Sequence, residues 1–132
     1  MSVWHGSSHK KKLSGGRKRI KRKKRRFERG SFPAETTLGE RKIKIARRRG
    51  GNPKIRAFSE LQVCVSNPAT GKTEKLEIMR VIRNPANVDY DRRGVITKGT
   101  IIDTKLGHAR VTSRPGQHGL INAILVSKER KG

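Results

Sequence analysis

The chain has 132 residues, of which 34 are Lys or Arg and only 10 are Asp or Glu, giving a formal net charge of +24. Apolar residues make up 31% of it and charged residues 33%, enough for one small core but not two. Such a surplus of cations repels itself unless it meets an anion, so the expected partner is nucleic acid, an acidic membrane surface or an acidic protein.

The opening Met1–His9 stretch lacks the apolar run of a signal peptide, and nothing later approaches 18 consecutive apolar residues, so a soluble, non-exported protein is expected. Residues 1–30 hold 13 Lys or Arg and a single acid, Glu28. Half of the excess charge therefore sits in less than a quarter of the chain. Its centre is the run Lys10, Lys11, Lys12, Leu13, Ser14, Gly15, Gly16, Arg17, Lys18, Arg19, Ile20, Lys21, Arg22, Lys23, Lys24, Arg25, Arg26 and Phe27. So few apolar side chains cannot offset the entropy of ordering, and residues 1–32 read as an extension that is disordered when free and orders against a polyanion. Bound, it can take a short helix over Arg17–Arg29, with Ile20 and Phe27 on one face, or an extended course; the sequence leaves both open.

From Lys42 the pattern changes to period two. Lys42–Ala46, Ile55–Phe58 and Leu61–Val65 read as strands. The turn formers of Ser66–Gly71, followed by Leu76, Ile78, Val81 and Ile82, predict a hairpin. Asn84–Asn87 predicts a loop leading into one helical turn through Asp91. Val95–Ile102, Ala109–Ser113 and Leu120–Val126 are the last candidate strands, with Gly94, Gly99, Gly107, Gly116 and Gly119 at turns or bulges. The expectation is an all-β fold, a small barrel of about six short strands over residues 33–127, with a long basic N-terminal tail and a short basic C-terminal tail at 128–132.

Catalytic and metal signatures fail on particular residues. Gly71-Lys72-Thr73 ends like a phosphate-binding loop, but the glycine needed five positions earlier is Ser66. Asp89 and Asp91 are followed directly by Arg92 and Arg93, which would hold them ionised as surface ion pairs. His5, His9, His108 and His118 form no ligand spacing with Cys64, and the lone cysteine excludes an intrachain disulfide. No enzyme, cofactor or small-molecule substrate is expected.

Two basic turns remain. Arg47-Arg48-Arg49-Gly50-Gly51-Asn52-Pro53-Lys54, with Arg56 just beyond, sets guanidinium groups beside glycines that let a backbone approach closely. Ser113-Arg114-Pro115-Gly116-Gln117-His118-Gly119 places Arg114, Gln117 and His118 on the rim of a Pro-Gly turn, where they can donate to phosphates, 2′-hydroxyls or bases. Aromatic residues are too scarce for a stacking platform, which favours readout of backbone and shape.

These residues also carry a family resemblance. Val3-Trp4-His5-Gly6-Ser7, Lys11-Lys12-Leu13-Ser14-Gly15-Gly16-Arg17, Lys24–Gly30, Arg49–Arg56, Asn84–Asn87, Arg92–Gly99 and Ala109–Gly119, in that order, resemble the archaeal and eukaryotic small-subunit ribosomal protein family eight-e, in its compact archaeal form. Ser14 stands where that signature often has Thr, and Arg29 where an apolar residue is common; neither change removes a phosphate-binding group. The resemblance implies a six-stranded type of barrel and a structural, non-catalytic role. The protein would sit in the cytoplasm, bound to the ribosome, with small-subunit rRNA and neighbouring ribosomal proteins as partners. The expected rRNA-binding groups are the cationic run already named with Ser14, Gly15 and Gly16, then Arg47, Arg48, Arg49, Lys54, Arg56, Lys98, Arg110, Arg114, Gln117 and His118. A ribosome-assembly factor or a general nucleic-acid-binding protein is the alternative.

Overall fold

The computed structural model describes residues 3–6, 10–19 and 21–126. The chain divides into two units, Met1–Pro33 and Ala34–Gly132. The expected C-terminal tail 128–132, residue 127 at the end of the expected barrel, and Ile20 of the proposed helical face lie outside the described residues.

In the first unit, β1 (Val3–Trp4) runs antiparallel to β2 (Arg29–Gly30), with Val3 opposite Gly30 and Trp4 opposite Arg29. A turn at Lys12–Gly15, with Gly15 at φ 80°, brings Lys11 opposite Arg17. The sole helical piece described here is a 3-10 turn at Arg26–Glu28. A regular helix from Arg17 would stack cations three and four residues apart, where like charges oppose helix formation.

The second unit contains β3 (Thr37–Leu38), β4 (Lys42–Arg47), β5 (Pro53–Glu60), β6 (Gln62–Ser66), β7 (Thr73–Arg83), α1 (Val88–Arg92), β8 (Ile101–Thr104), β9 (Gly107–Val111), α2 (Pro115–His118) and β10 (Asn122–Leu125). Five strands close a barrel in the order β10-β6-β7-β8-β9. Neighbours are antiparallel except at the seam, where β10 lies parallel to β6 with Asn122 opposite Cys64. β3, β5 and β4 form a separate three-stranded sheet, so the fold is all-β with five strands in the closed barrel where about six were expected. Period-two alternation identifies strands but cannot say which of them join one barrel.

Alternation points Val63 and Val65 of β6, Ile78 of β7, Ile102 of β8, Ala109 and Val111 of β9 and Ala123 of β10 inward, where Ile96 and Ile121 complete the core. Ile102 is fully buried, a burial that stabilises by roughly 1.5–3 kcal/mol.

Three local expectations change. The strand expected from Val95 starts only at Ile101. Val95 and Ile96 are buried, but their N–H groups donate to Tyr90 O and Thr36 O, and Gly99 at φ 92° turns the chain before the ladder begins. The Pro-Gly turn is a single helical turn, α2, with Pro115 in its first turn and Gly119 at φ 73° donating to Pro115 O. Gly116 is a helical residue, where a bulge or turn glycine was expected; a Cβ there would press on Ala34. As expected, α1 follows the Asn84–Asn87 loop, and the Asn87 side chain caps it by accepting from Asp89 N–H.

Candidate nucleic-acid interface

β4 and β5 form a ribbon whose cross-strand pairs sort its side chains by face. Lys44 is opposite Arg56 and Ala46 opposite Lys54, so one face is basic; Ile43 opposite Ala57 and Ile45 opposite Ile55 make the other face apolar. Directly opposed like charges destabilise a ribbon unless an anion joins them. No carboxylate pairs with Lys44 or Arg56 among the described residues, and the buried Arg56 Nε has no acceptor. Lys42 and Lys44 were not among the expected rRNA-binding residues. Their signal, Lys-Ile-Lys-Ile, reads as strand alternation, and the same alternation gathers the lysines on one face.

The turn between these strands holds Arg47, Arg48 and Arg49 exposed. Gly50 and Gly51 take φ of 72° and 79°, and Asn52 Nδ2 donates to Arg49 O, fixing the turn without using a guanidinium.

α2 joins this ribbon. A Cβ at Gly119 would collide with the Ile55 side chain, so only glycine allows the approach, and Lys54 Nζ donates to Gln117 Oε1 at 3.1 Å. Arg114, Gln117 and His118 are exposed. His118 Nδ1 accepts from Arg114 N–H at 3.3 Å, which leaves the ring proton on Nε2, free to donate to a ligand. The two basic turns, more than 50 residues apart in sequence, thus share one locality. Lys98 and Arg110 lie elsewhere, on the barrel: Lys98 is in the turn whose Gly99 N–H donates to Val111 O, and Arg110 stands opposite Ile101 and Ile124 and forms no ion pair among the described residues.

In the N-terminal unit, Lys10, Lys11, Lys12, Ser14, Gly15, Gly16, Arg17, Lys18, Arg19, Lys21, Lys23, Arg25 and Arg26 are exposed, whereas Lys24 is partly covered. Arg22 differs from the rest. Its guanidinium forks onto Glu28, with two hydrogen bonds of 2.8 Å each. Those bonds, with a third from Arg25 N–H, pull the Glu28 carboxyl down to about 2.

The ion pairs of the described residues engage Arg22, Arg41, Arg80 and Arg93, and His108 Nδ1 lies 3.3 Å from Asp103 Oδ1. Among the described residues the ion-paired carboxylates thus engage arginines outside the expected site, Arg22 excepted, and none pairs with Lys44, Arg47, Arg48, Arg49, Lys54, Arg56 or Arg114. The other candidate chemistries resolve into structure. Gly71 turns the β6–β7 hairpin at φ 68°, Asp89 pairs with Arg93, and Asp91 accepts from Asn84 N–H. Among the described residues no three His, Cys, Asp or Glu side chains converge as metal ligands, and no helix is long and apolar enough to cross a membrane.

Comparison with known proteins supplies the family. The family model described as Ribosomal protein S8e matches residues 5–126. The chain belongs to this family. Relatives within it include the small ribosomal subunit protein eS8 of Methanospirillum hungatei JF-1, 51% identical over 93% of this chain and 98% of the relative. Another is the eS8 of Methanoregula boonei, 48% identical over 95% of this chain and 99% of the relative. The eS8 of Nanoarchaeum equitans is 50% identical over 80% of this chain and 83% of its own length. The S8e match begins at His5, so it takes in the N-terminal unit as well as the barrel.

Proposed function

We propose that this chain is a structural constituent of the small ribosomal subunit that binds and stabilises folded rRNA. It has no catalytic role and no cofactor, and it resides on cytoplasmic ribosomes beside neighbouring small-subunit proteins. The observation that carries the reading is the unspent charge: among the described residues Lys44, Arg47, Arg48, Arg49, Lys54, Arg56 and Arg114 have no carboxylate partner, and α2 and β5 hold them together. The domain of residues 33–127 docks through this surface, on the three-stranded sheet and α2, and through Lys98 and Arg110 of its barrel. The extension, residues 1–32, is disordered when free and lies between RNA helices, neutralising phosphates that would otherwise keep them apart.

The test is binding of the full chain to deproteinised archaeal small-subunit rRNA across a salt series, with excess duplex DNA as competitor. For eight or so phosphate contacts, affinity should fall by roughly 10³–10⁵ between 50 and 200 mM salt, and duplex DNA should compete poorly. Equal competition by duplex DNA would make the chain a general nucleic-acid binder. In sucrose gradients of cell extract, stoichiometric presence in mature small subunits is the expected result, and confinement to precursor particles would make it an assembly factor instead.

A further inference from the structure

We infer that Glu28 is a positioning residue for RNA binding, a clasp that sets the geometry in which the N-terminal cations meet phosphate. This rests on the rRNA-binding reading above. Glu28 is the sole acid among the first 34 residues, which carry 13 Lys or Arg. It ties the segment at three separate points: both carboxylate oxygens accept from the Arg22 guanidinium, Oε2 also accepts from Arg25 N–H, and the main-chain carbonyl accepts from His5 N–H at 2.9 Å. Positions 5, 22 and 25 are thus gathered on one residue, beside the β1–β2 ladder that closes the loop.

The packing around the clasp admits little variation. A side chain at Gly6 would meet the Trp4 indole, and one at Gly30 would meet the His5 imidazole. The Glu28 side chain is 13% exposed and that of Arg22 46%. Closing a loop of this length costs entropy, and here it also crowds like charges. Phosphates remove the crowding, so closure and RNA binding favour each other. Glu28 selects one closed arrangement from the many a neutralised polycation can adopt.

This makes a prediction opposite to simple charge counting. Glu28→Gln raises the formal net charge from +24 to +25, which by long-range attraction alone tightens binding to RNA. The clasp predicts weaker binding, by about three- to tenfold for a half-exposed forked ion pair. Arg22→Lys conserves charge but loses the fork, and should weaken binding to a similar degree. The double variant should be little worse than either single one, because both remove the same interaction. Glu40→Gln, at an exposed acid in no ion pair among the described residues, should leave affinity unchanged or tighter.

The measurement is the dissociation constant of full-length variants on deproteinised archaeal small-subunit rRNA at fixed salt, with circular dichroism to verify that the barrel is intact. Equal or tighter binding by Glu28→Gln, or full additivity in the double variant, overturns the clasp while leaving the rRNA reading in place. A wild-type chain with no preference for rRNA over duplex DNA overturns the reading itself and the clasp with it.

Discussion

The ammonium of Lys54 and the side-chain carbonyl of Gln117 lie 3.1 Å apart, joining β5 to α2 across 63 residues of sequence. A neutral acceptor satisfies one of the lysine's three donors and cancels none of its charge. Lys54→Met should therefore reduce the slope of log affinity against log salt by about 0.7–0.9 and leave stability within about 0.5 kcal/mol. Arg114→Glu, which also adds an anion, should weaken rRNA binding further at little cost in thermal midpoint. Filter binding and a thermal melt check both; unchanged binding removes α2 from the interface.

Gly119→Ala addresses how α2 is seated. The position has φ 73°, and its Cβ would collide with Ile55. The left-handed conformation costs roughly 1–2 kcal/mol for a residue with a Cβ, and the collision adds to that. Denaturant unfolding should show at least this loss, with weaker rRNA binding as α2 moves off β5. An unaltered midpoint would mean that α2 is not held there.

Asn84 is a structural polar residue in the same sense. Buried at 3% exposure, it donates to Val95 O and accepts from Ala86 N–H and Thr97 Oγ1. Asn84→Ala strands these groups, each orphan costing about 1–3 kcal/mol. The expected result is a loss of about 2–3 kcal/mol in denaturant unfolding; a loss under about 0.5 kcal/mol, that of an ordinary surface substitution, would show the network to be dispensable.

The Glu28 clasp gives a pH dependence with a definite sign. Its carboxyl, pulled by Arg22 and Arg25 to about 2 from an ordinary 4.5, favours the closed loop when ionised. The stabilisation is complete above the ordinary value and is lost as pH falls from there through about 2. The fluorescence of Trp4, the single tryptophan, should follow that loss in the RNA complex, and Glu28→Gln should abolish the transition. A midpoint near 4.5 would mean that the carboxyl is free.

Removing residues 1–30 should leave circular dichroism of the barrel intact, because its core comes wholly from β6 to β10 and the loops between them. The salt slope of rRNA binding should flatten as those cations are lost. An unfolded truncated chain would move the domain boundary.

The strand over Lys42–Ala46, the β6–β7 hairpin and the Asn84–Asn87 entry into α1 are legible in the sequence because alternation and turn chemistry act over a few residues. Val95–Thr100 is not, because burial without a ladder imitates a strand: Ile96 packs in the core while its N–H is satisfied by Thr36. The separation of β3, β4 and β5 from the barrel depends on long-range pairing that local pattern does not encode. Within the site, the cation-rich turns were evident, but the meeting of Lys54 with Gln117 and the diversion of Arg22 to Glu28 are tertiary events. Lys42 and Lys44 are not legible as binding groups, because their alternation marks a strand before it marks a charged face.

The parallel seam between β6 and β10 bears on the order in which the molecule is made. β6 emerges from synthesis with β7 and can form a hairpin at once, but its other edge waits for β10, more than 50 residues later. A nascent chain therefore releases its cations well before it owns a closed core, and it carries an open strand edge of the kind that recruits foreign strands. A premature stop at Asn122 would leave the barrel unsealed, because β10 is the stave that closes it onto β6.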